Sequence, residues 1–351
     1  MTITDKTKPV LVTGATGYVA AWIVKGLLEE GITVHAAVRN PHDKKKLAHL
    51  NKLAETLPGN IHYFKSDLLE EGSYAAAMEG CAVVFHTASP FTSRFKDAQK
   101  ELIDPAVKGT ANVLEQANKT SSVKRVVVTS SCAAIYNDAI DTVNAPGKKL
   151  TEAMWNETAS LTYQPYSYSK TLAEKKAWEI SEQQDRWDLV TINPSFVLGP
   201  ALNAASVTSE SYHILKQLGN GTLKAGAPML GIGVVDVRDV AEAHLRAGFT
   251  PAAKGRYITS AHNSNILELA NTLQAKYGTY PLPKRALPKW LLMLVGPMVN
   301  KAFSRRFIRD NVNIPWNADN SKIIKALGMK FKPLKETMED SFQVLIDHKL
   351  I

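Results

Sequence analysis

The first half of the chain alternates short apolar runs with longer stretches whose apolar residues recur every three to four positions. Val10–Thr13, Thr33–Arg39, Ile61–Lys65, Val83–Thr87, Arg125–Thr129 and Leu189–Asn193 are largely continuous and β-branched, as in strands buried on both faces. After the first run, Ala20, Ile23, Val24, Leu27 and Leu28 share one helical face, and the periodicity stops before Gly31. Strand, glycine turn, helix and strand, repeated in this way, predict βαβ units wound around a parallel sheet.

Beyond Pro200 the rhythm breaks, and Gly219, Gly221, Gly226, Gly231 and Gly233 punctuate a loop-rich region. The pattern therefore divides the chain discontinuously. Residues 1–200 form a nucleotide-binding domain to which 232–260 return, through a strand at Gly233–Val237 and a helix after Arg238. Residues 201–231 and 261–351 form a smaller substrate lobe. A length of 351 residues exceeds what one core comfortably serves. The run Trp290–Val299, interrupted by Gly296 and Pro297, is too short to span a bilayer, which takes about 20 residues. It reads as a buried helix of the lobe, with a membrane-surface or dimer patch as the alternative.

The turn after the first run carries the first chemistry. Thr13-Gly14-Ala15-Thr16-Gly17-Tyr18-Val19-Ala20 follows a strand and opens a helix, the context of a Rossmann-type dinucleotide fingerprint. Gly14 permits the tight turn, Gly17 lets the backbone approach a pyrophosphate, and the helix N-terminal amides supply donors to the anion. Thr13, Thr16, Tyr18 and Val19 complete this candidate cofactor turn, the last two with side chains turned into the fold. The third small position is Ala20, which serves helix packing rather than phosphate contact. The second strand ends in Val38-Arg39-Asn40 without an acid for a ribose 2′-hydroxyl. Arg39, with Lys44, Lys45 and Lys46, instead suits a 2′-phosphate, and NADPH is the expected cofactor.

Tyr166 and Lys170 stand four apart at the start of a helix after Pro165 and so share a face. A phenol titrating near pH 10 becomes a better proton carrier beside an ammonium. Tyr163 and Tyr168 have no lysine at that spacing. Upstream, Thr129-Ser130-Ser131 ends the fifth strand at the edge where ligands bind in open α/β sheets, and Ser131 is placed to donate to a substrate oxygen. Pro90 and Phe91, Cys132 and Ala133, and Phe196 all lie just past strand ends and are candidate apolar walls of a substrate cleft. The loop Leu202–Tyr212, with Ser206, Thr208, Ser209 and Ser211, and Ala225–Leu230 would close its far side.

These motifs, together with Val-Thr-Gly14-Ala-Thr-Gly17, Val84-Phe85-His86-Thr87-Ala88-Ser89-Pro90, Pro105-Ala106-Val107-Lys108-Gly109-Thr110, Asn193-Pro194-Ser195 and Val235-Asp236-Val237-Arg238-Asp239, resemble the extended short-chain dehydrogenases over nearly the whole chain. The similarity is greatest to dihydroflavonol and cinnamoyl-CoA reductases and microbial methylglyoxal or carbonyl reductases. The resemblance implies Ser131, Tyr166 and Lys170 as a catalytic triad. It implies Asp67 and Leu68 at an adenine, Thr87, Ala88 and Ser89 at the middle of the cofactor, and Pro194 to Phe196 at the nicotinamide, with Lys170 also on the ribose. The expected activity is NADPH-dependent reduction of aldehydes and ketones. Lys108 stands where relatives often carry asparagine, which leaves a fourth catalytic member in doubt.

Composition narrows the alternatives. Apolar residues make up 45% and charged residues 21% of the chain, ordinary for a globular protein. The net charge is +9, but lysines and arginines are spread along the chain without any nucleic-acid-binding motif, so no nucleic-acid partner is expected. Cys81 and Cys132 are the only cysteines and suit neither a disulfide framework nor a zinc site. His86 reads as a structural histidine, and Asp236 and Asp239 as capping carboxylates. The N-terminus lacks a secretory apolar stretch. A cytoplasmic monomer or homodimer, without metal or membrane, is expected. The rival functions are a hydroxysteroid dehydrogenase, a sugar-nucleotide epimerase or dehydratase, and an NADP-binding sensor without turnover.

Overall fold

In a computed structural model of the chain, residues 5–89, 95–203, 207, 210–299 and 302–351 are described. The strands are β1 (Val10–Thr13), β2 (Thr33–Val38), β3 (Asn60–Lys65), β4 (Val83–His86), β5 (Arg125–Thr129), β6 (Asp188–Pro194), β7 (Phe196–Leu198), β8 (Gly231–Asp236), β9 (Gly255–Thr259) and β10 (His262–Asn265). The first-domain helices are α1 (Tyr18–Glu29), α2 (Lys44–Thr56), α3 (Ala75–Met78), α4 (Asp104–Lys119), α5 (Ala139–Asn144) and α6 (Pro165–Glu182). There follow α7 (Glu210–Gly219), α8 (Val237–Phe249), α9 (Ile266–Tyr277), α10 (Lys289–Val299), α11 (Arg305–Asn311), α12 (Ser321–Leu327) and α13 (Leu334–Asp347).

Seven parallel strands form the main sheet in the order β3-β2-β1-β4-β5-β6-β9, the expected doubly wound architecture. Its apolar β-branched strands are sandwiched between two cores. One is built on α1 and α8 around Ile23, Leu27, Phe85 and Ala247, the other on α4 and α6 around Val84, Val113, Val126 and Ala177. The strand order reverses between β1 and β4, which pair Thr13 with His86. The crevice that such a reversal opens at the carboxyl ends of the strands is where ligands bind in this architecture. β2 stops at Val38 and β4 at His86, so Arg39 and Thr87 are the first residues beyond the sheet rather than its last.

Two expectations are corrected. The strand near Gly233–Val237 does not rejoin the main sheet: β8 joins a second sheet, antiparallel to β10 and parallel to β7. A Cβ at Gly233 would lie 2.2 Å from the Trp316 ring, so this strand approaches the lobe too closely for a side chain there. The seventh main strand is instead β9, whose Gly-Arg-Tyr-Ile-Thr sequence hides its burial behind an arginine. The second correction concerns Trp290–Val299, which is helical but not buried. In α10 only Leu292 and Gly296 are buried, while Trp290, Leu294, Met298 and Val299 are 66%, 61%, 85% and 80% exposed.

The lobe core gathers Leu198, Tyr212, Leu218, Ile266, Leu273 and Phe342. Tyr18 and Trp22 of α1 clamp it to the first domain, donating to Gly199 O at 2.6 Å and Pro200 O at 2.9 Å.

Arg125 of β5 is fully buried and acts as a C-terminal cap for α8. It donates to the carbonyls of Ala247, Thr250 and Pro251 and pairs with Asp188 at 3.3 Å. Ala247 O lies in the last turn of α8, where carbonyls lack a helical partner, and Thr250 O also accepts from Ala253 N–H at 3.0 Å. Arg125→Met should therefore destabilise the chain by about 2–4 kcal/mol, read as a lowered urea midpoint. A midpoint within error of wild type would contradict the capping role.

Candidate active site

Ser131, Tyr166 and Lys170 converge at the carboxyl edge of the sheet. Ser131 takes an extended backbone (φ −159°, ψ 154°) after β5 and N-caps the short helix Cys132–Ala134 by accepting from Ala133 N–H. Its hydroxyl hydrogen-bonds to the Tyr166 phenol. α6 starts with Pro165 after Gln164, which holds a left-handed φ of 56°, a strained conformation for a non-glycine residue. Lys170 lies one turn further on, its Nζ 5.8 Å from the Tyr166 ring centroid and donating to Ser89 Oγ at 2.8 Å.

Burial pushes the Tyr166 phenol up, opposed by the Ser131 hydrogen bond. Burial also pulls Lys170 down to about 8. The protein alone thus keeps Tyr166 protonated at neutral pH, and the lysine titrates unusually close to neutrality. A phenol, a hydroxyl and an ammonium so arranged can hold a developing oxyanion and move a proton to it. Tyr163, the competing tyrosine, donates instead to Asp138 at 2.8 Å and lies under the Arg306 guanidinium at 3.8 Å.

The candidate cofactor turn lies beside this group. Gly14 has φ +62°, and a Cβ there would come within 3.1 Å of Ala88 Cα, so both geometry and space require glycine. Gly17 is the N-cap of α1, with no side-chain cap and no acid in the first turn. The amides of α1 are therefore open to an anion. This cradle fits a dinucleotide pyrophosphate. Arg39 is exposed just past β2. Lys46 is exposed as well, although it lies 3.7 Å from the Asp43 carboxylate that caps α2. Asp67 is exposed and accepts from Leu69 N–H, and Leu68 fills the space left by Gly109 on α4.

Other candidates also make contacts within the protein. Thr13 Oγ1 accepts from the amides of Thr87 and Ala88 at 3.1 and 3.0 Å and bonds His86 Nδ1 at 2.9 Å. Thr87 returns a bond to Thr13 O. The Tyr18 ring faces Tyr212 of the lobe, and Val19 packs on the first-domain core. Thr16 O accepts from Asn203, so the lobe touches the turn. Pro194 is buried in β6, and Phe196 is half-buried beside the lobe core. Cys132 does not line a cleft: it is 3% exposed, donates to Asn193 O and packs with Ile135 and Trp316. Ala133 stays half-exposed. Pro90, Phe91, Ser206, Thr208 and Ser209 lie outside the described residues. Lys108 is 72% exposed and paired with Asp104 at 3.6 Å.

Glu174, one turn beyond Lys170, escaped the sequence reading. Its buried carboxylate accepts from Ser130 Oγ, Thr191 Oγ1 at 3.1 Å, Asn193 Nδ2 at 2.7 Å and Arg256 Nε at 2.6 Å. Asn193 also donates to Ser131 O at 3.1 Å, linking the carboxylate to the backbone that presents Ser131. A glutamate within a helix of mixed polarity carries no sequence signal that it is buried.

Comparisons with known proteins identify the family. Residues 10–258 match the model of the NAD dependent epimerase/dehydratase family. The chain belongs to that family. It is 38% identical over 343 residues to tetraketide alpha-pyrone reductase 1 of Arabidopsis thaliana, covering 96% of this chain and 95% of the relative. It is 36% identical to a cinnamoyl-CoA reductase of Medicago truncatula, covering 97% and 96%. Among solved structures, yeast methylglyoxal/isovaleraldehyde reductase complexed with NADPH superposes with a TM-score of 0.77 at 26% identity, covering 98% of this chain and 100% of that one. The chain is thus an oxidoreductase of the extended short-chain type.

Burial makes two histidines near the site pH-sensitive elements. His86 is pulled down to about 3 and His244 to about 4, in each case first by burial. His244 is held by Val240 O at 2.8 Å and Thr129 Oγ1 at 2.7 Å. Both are neutral in the folded chain. The unfolded chain takes up protons below about pH 6.5, so folding stability should fall as pH drops from there toward 4. Denaturant midpoints measured across that range should show the decline, and His244→Asn should shallow it. An unchanged slope would contradict the assignment.

Proposed function

We propose that this oxidoreductase reduces aldehydes and ketones to alcohols with NADPH. The observation that carries the reading is the convergence of Ser131, Tyr166 and Lys170 beside an open helix N-terminus, in a chain 36–38% identical to reductases. NADPH would be held by the backbone of the Gly14–Gly17 turn, by Arg39 at its 2′-phosphate and by Lys170 at its ribose; when bound, it supplies the hydride to the carbonyl carbon. Ser131 donates a hydrogen bond to the carbonyl oxygen. Tyr166, protonated at neutral pH, delivers the proton to that oxygen, and the Lys170 ammonium stabilises the phenolate left behind. Ala133 and Phe196 remain candidate walls for the organic part of the substrate. A hydroxysteroid fits the same parts, whereas a sugar-nucleotide diphosphate would need polar groups that these two do not provide.

Tyr166→Phe removes only the proton carrier. It should lower kcat by about 10² to 10⁴ and leave NADPH binding, measured by fluorescence titration, close to wild type. Retention of more than about a tenth of kcat by the folded variant would overturn the role.

Arg39→Ala should selectively raise KM for NADPH, because a guanidinium–phosphate contact contributes roughly 1–3 kcal/mol. The measurement is kcat/KM for NADPH and NADH in both proteins over a panel of aldehydes, aryl ketones and α-diketones. Equal use of NADH by wild type would refute the cofactor preference. Conversion of UDP-sugars with no carbonyl reduction across the panel would refute the reading as a whole.

A further inference from the structure

The exposed large apolar side chains are unevenly distributed. Half of those found among the described residues, Trp290, Leu294, Val295, Met298 and Val299, lie on α10. Trp290, Leu294 and Met298 follow one another at four-residue spacing and so form a single stripe. The opposite side of the helix is already satisfied: Leu292 and Gly296 pack on Ile308 and Phe303, closing a small core with α11. The stripe is therefore not an unfinished part of that core.

The charge is uneven in the same place. Lysines and arginines occur along the whole chain, but between Glu268 and Asp310 there is no acid at all. That stretch holds eight of the 42 basic residues and none of the 33 acidic ones, and so accounts for +8 of the net +9. Lys284 and Arg285 precede α10, and Arg305, Arg306 and Arg309 on α11 are exposed. Arg309 and Arg306 share the single carboxylate of Asp310, at 2.6 and 4.0 Å, which leaves an excess of positive charge on the unit.

We propose that α10 and α11 form a peripheral membrane-binding face, with the α10 stripe entering the headgroup boundary of an anionic lipid surface and the surrounding cations neutralising lipid charge. An apolar stripe with a tryptophan, bordered by lysines and arginines, has the chemistry of an interfacial helix, and each basic residue near an anionic leaflet strengthens attachment. A second copy of the chain fits less well, because a symmetric contact through this face would set Lys284, Arg285, Arg305 and Arg309 against their own copies. No described helix is long and apolar enough to cross a membrane, and a helix lying in the surface does not need to be. The unit also packs on the first domain, where the Arg306 guanidinium lies 3.8 Å from the Tyr163 ring centroid.

The test is flotation of the full chain with vesicles of phosphatidylcholine alone and of phosphatidylcholine with about 30% phosphatidylserine. The chain should float with the second and not the first, and release progressively as salt is raised. Trp290→Ser/Leu294→Ser/Met298→Ser should abolish flotation. Lys284→Glu/Arg305→Glu should weaken partitioning at least about tenfold. Circular dichroism melting of each variant should match wild type, a control that does not depend on the proposed reductase activity. Absence of flotation with both vesicles overturns the proposal. So does equal binding by wild type and the triple variant, or a dimer in analytical ultracentrifugation that the triple variant alone dissolves.

Discussion

The Glu174 carboxylate is the point where the helix carrying Tyr166 and Lys170 is joined to three strands. A fully buried carboxylate is costly unless it is paired and hydrogen-bonded, and here it receives Ser130 from just beyond β5, Thr191 and Asn193 from β6, and Arg256 from β9. Arg256 is held in turn by the Trp155 ring at 3.9 Å and by Glu152 O at 2.8 Å. The register of α6 on the sheet follows, since a slide of one residue would leave several donors and the charge without partners. Ser131 inherits its position from the same network through Asn193.

A second constraint acts at the switch point. Thr13 Oγ1 accepts two amide protons from the turn after β4, so its own proton goes to His86 Nδ1, which fixes that ring as the Nε2–H tautomer. The bond ties the end of β1 to the end of β4 where the dinucleotide turn begins. With Ala88 pressed against Gly14, the opening of the cradle is set by backbone contacts rather than by side chains that would need to move.

The lobe is attached to this frame and not continuous with it. Tyr18 and Trp22 donate across the boundary to the carbonyls of Gly199 and Pro200, and Asn203 reaches Thr16 O. The helix whose N-terminus forms the candidate cofactor turn therefore also carries the bonds that hold the lobe. The α10–α11 unit sits farther out, with a small core of its own and an uncovered apolar stripe.

The main sheet, the glycine turn and the candidate triad were legible in the chain itself. Strands buried on both faces must be continuously apolar, a phosphate turn must have its glycines at fixed spacing, and a helix places residues four apart on one face. These are local requirements, and local sequence states them. Tertiary structure alone decided the rest. β9 was hidden by Arg256, whose burial makes sense only with Glu174 opposite. β8 was expected to return to the first domain, but its pairing with β7 and β10 is set by residues distant in the chain. Cys132 lay past a strand end as a cleft wall should, yet its side chain turns into the core. The apolar run at Trp290 reads the same whether covered or bare, because hydropathy records what a segment can bury and not whether anything arrives to cover it. Partners distant in sequence decide burial, and burial decided each of these cases.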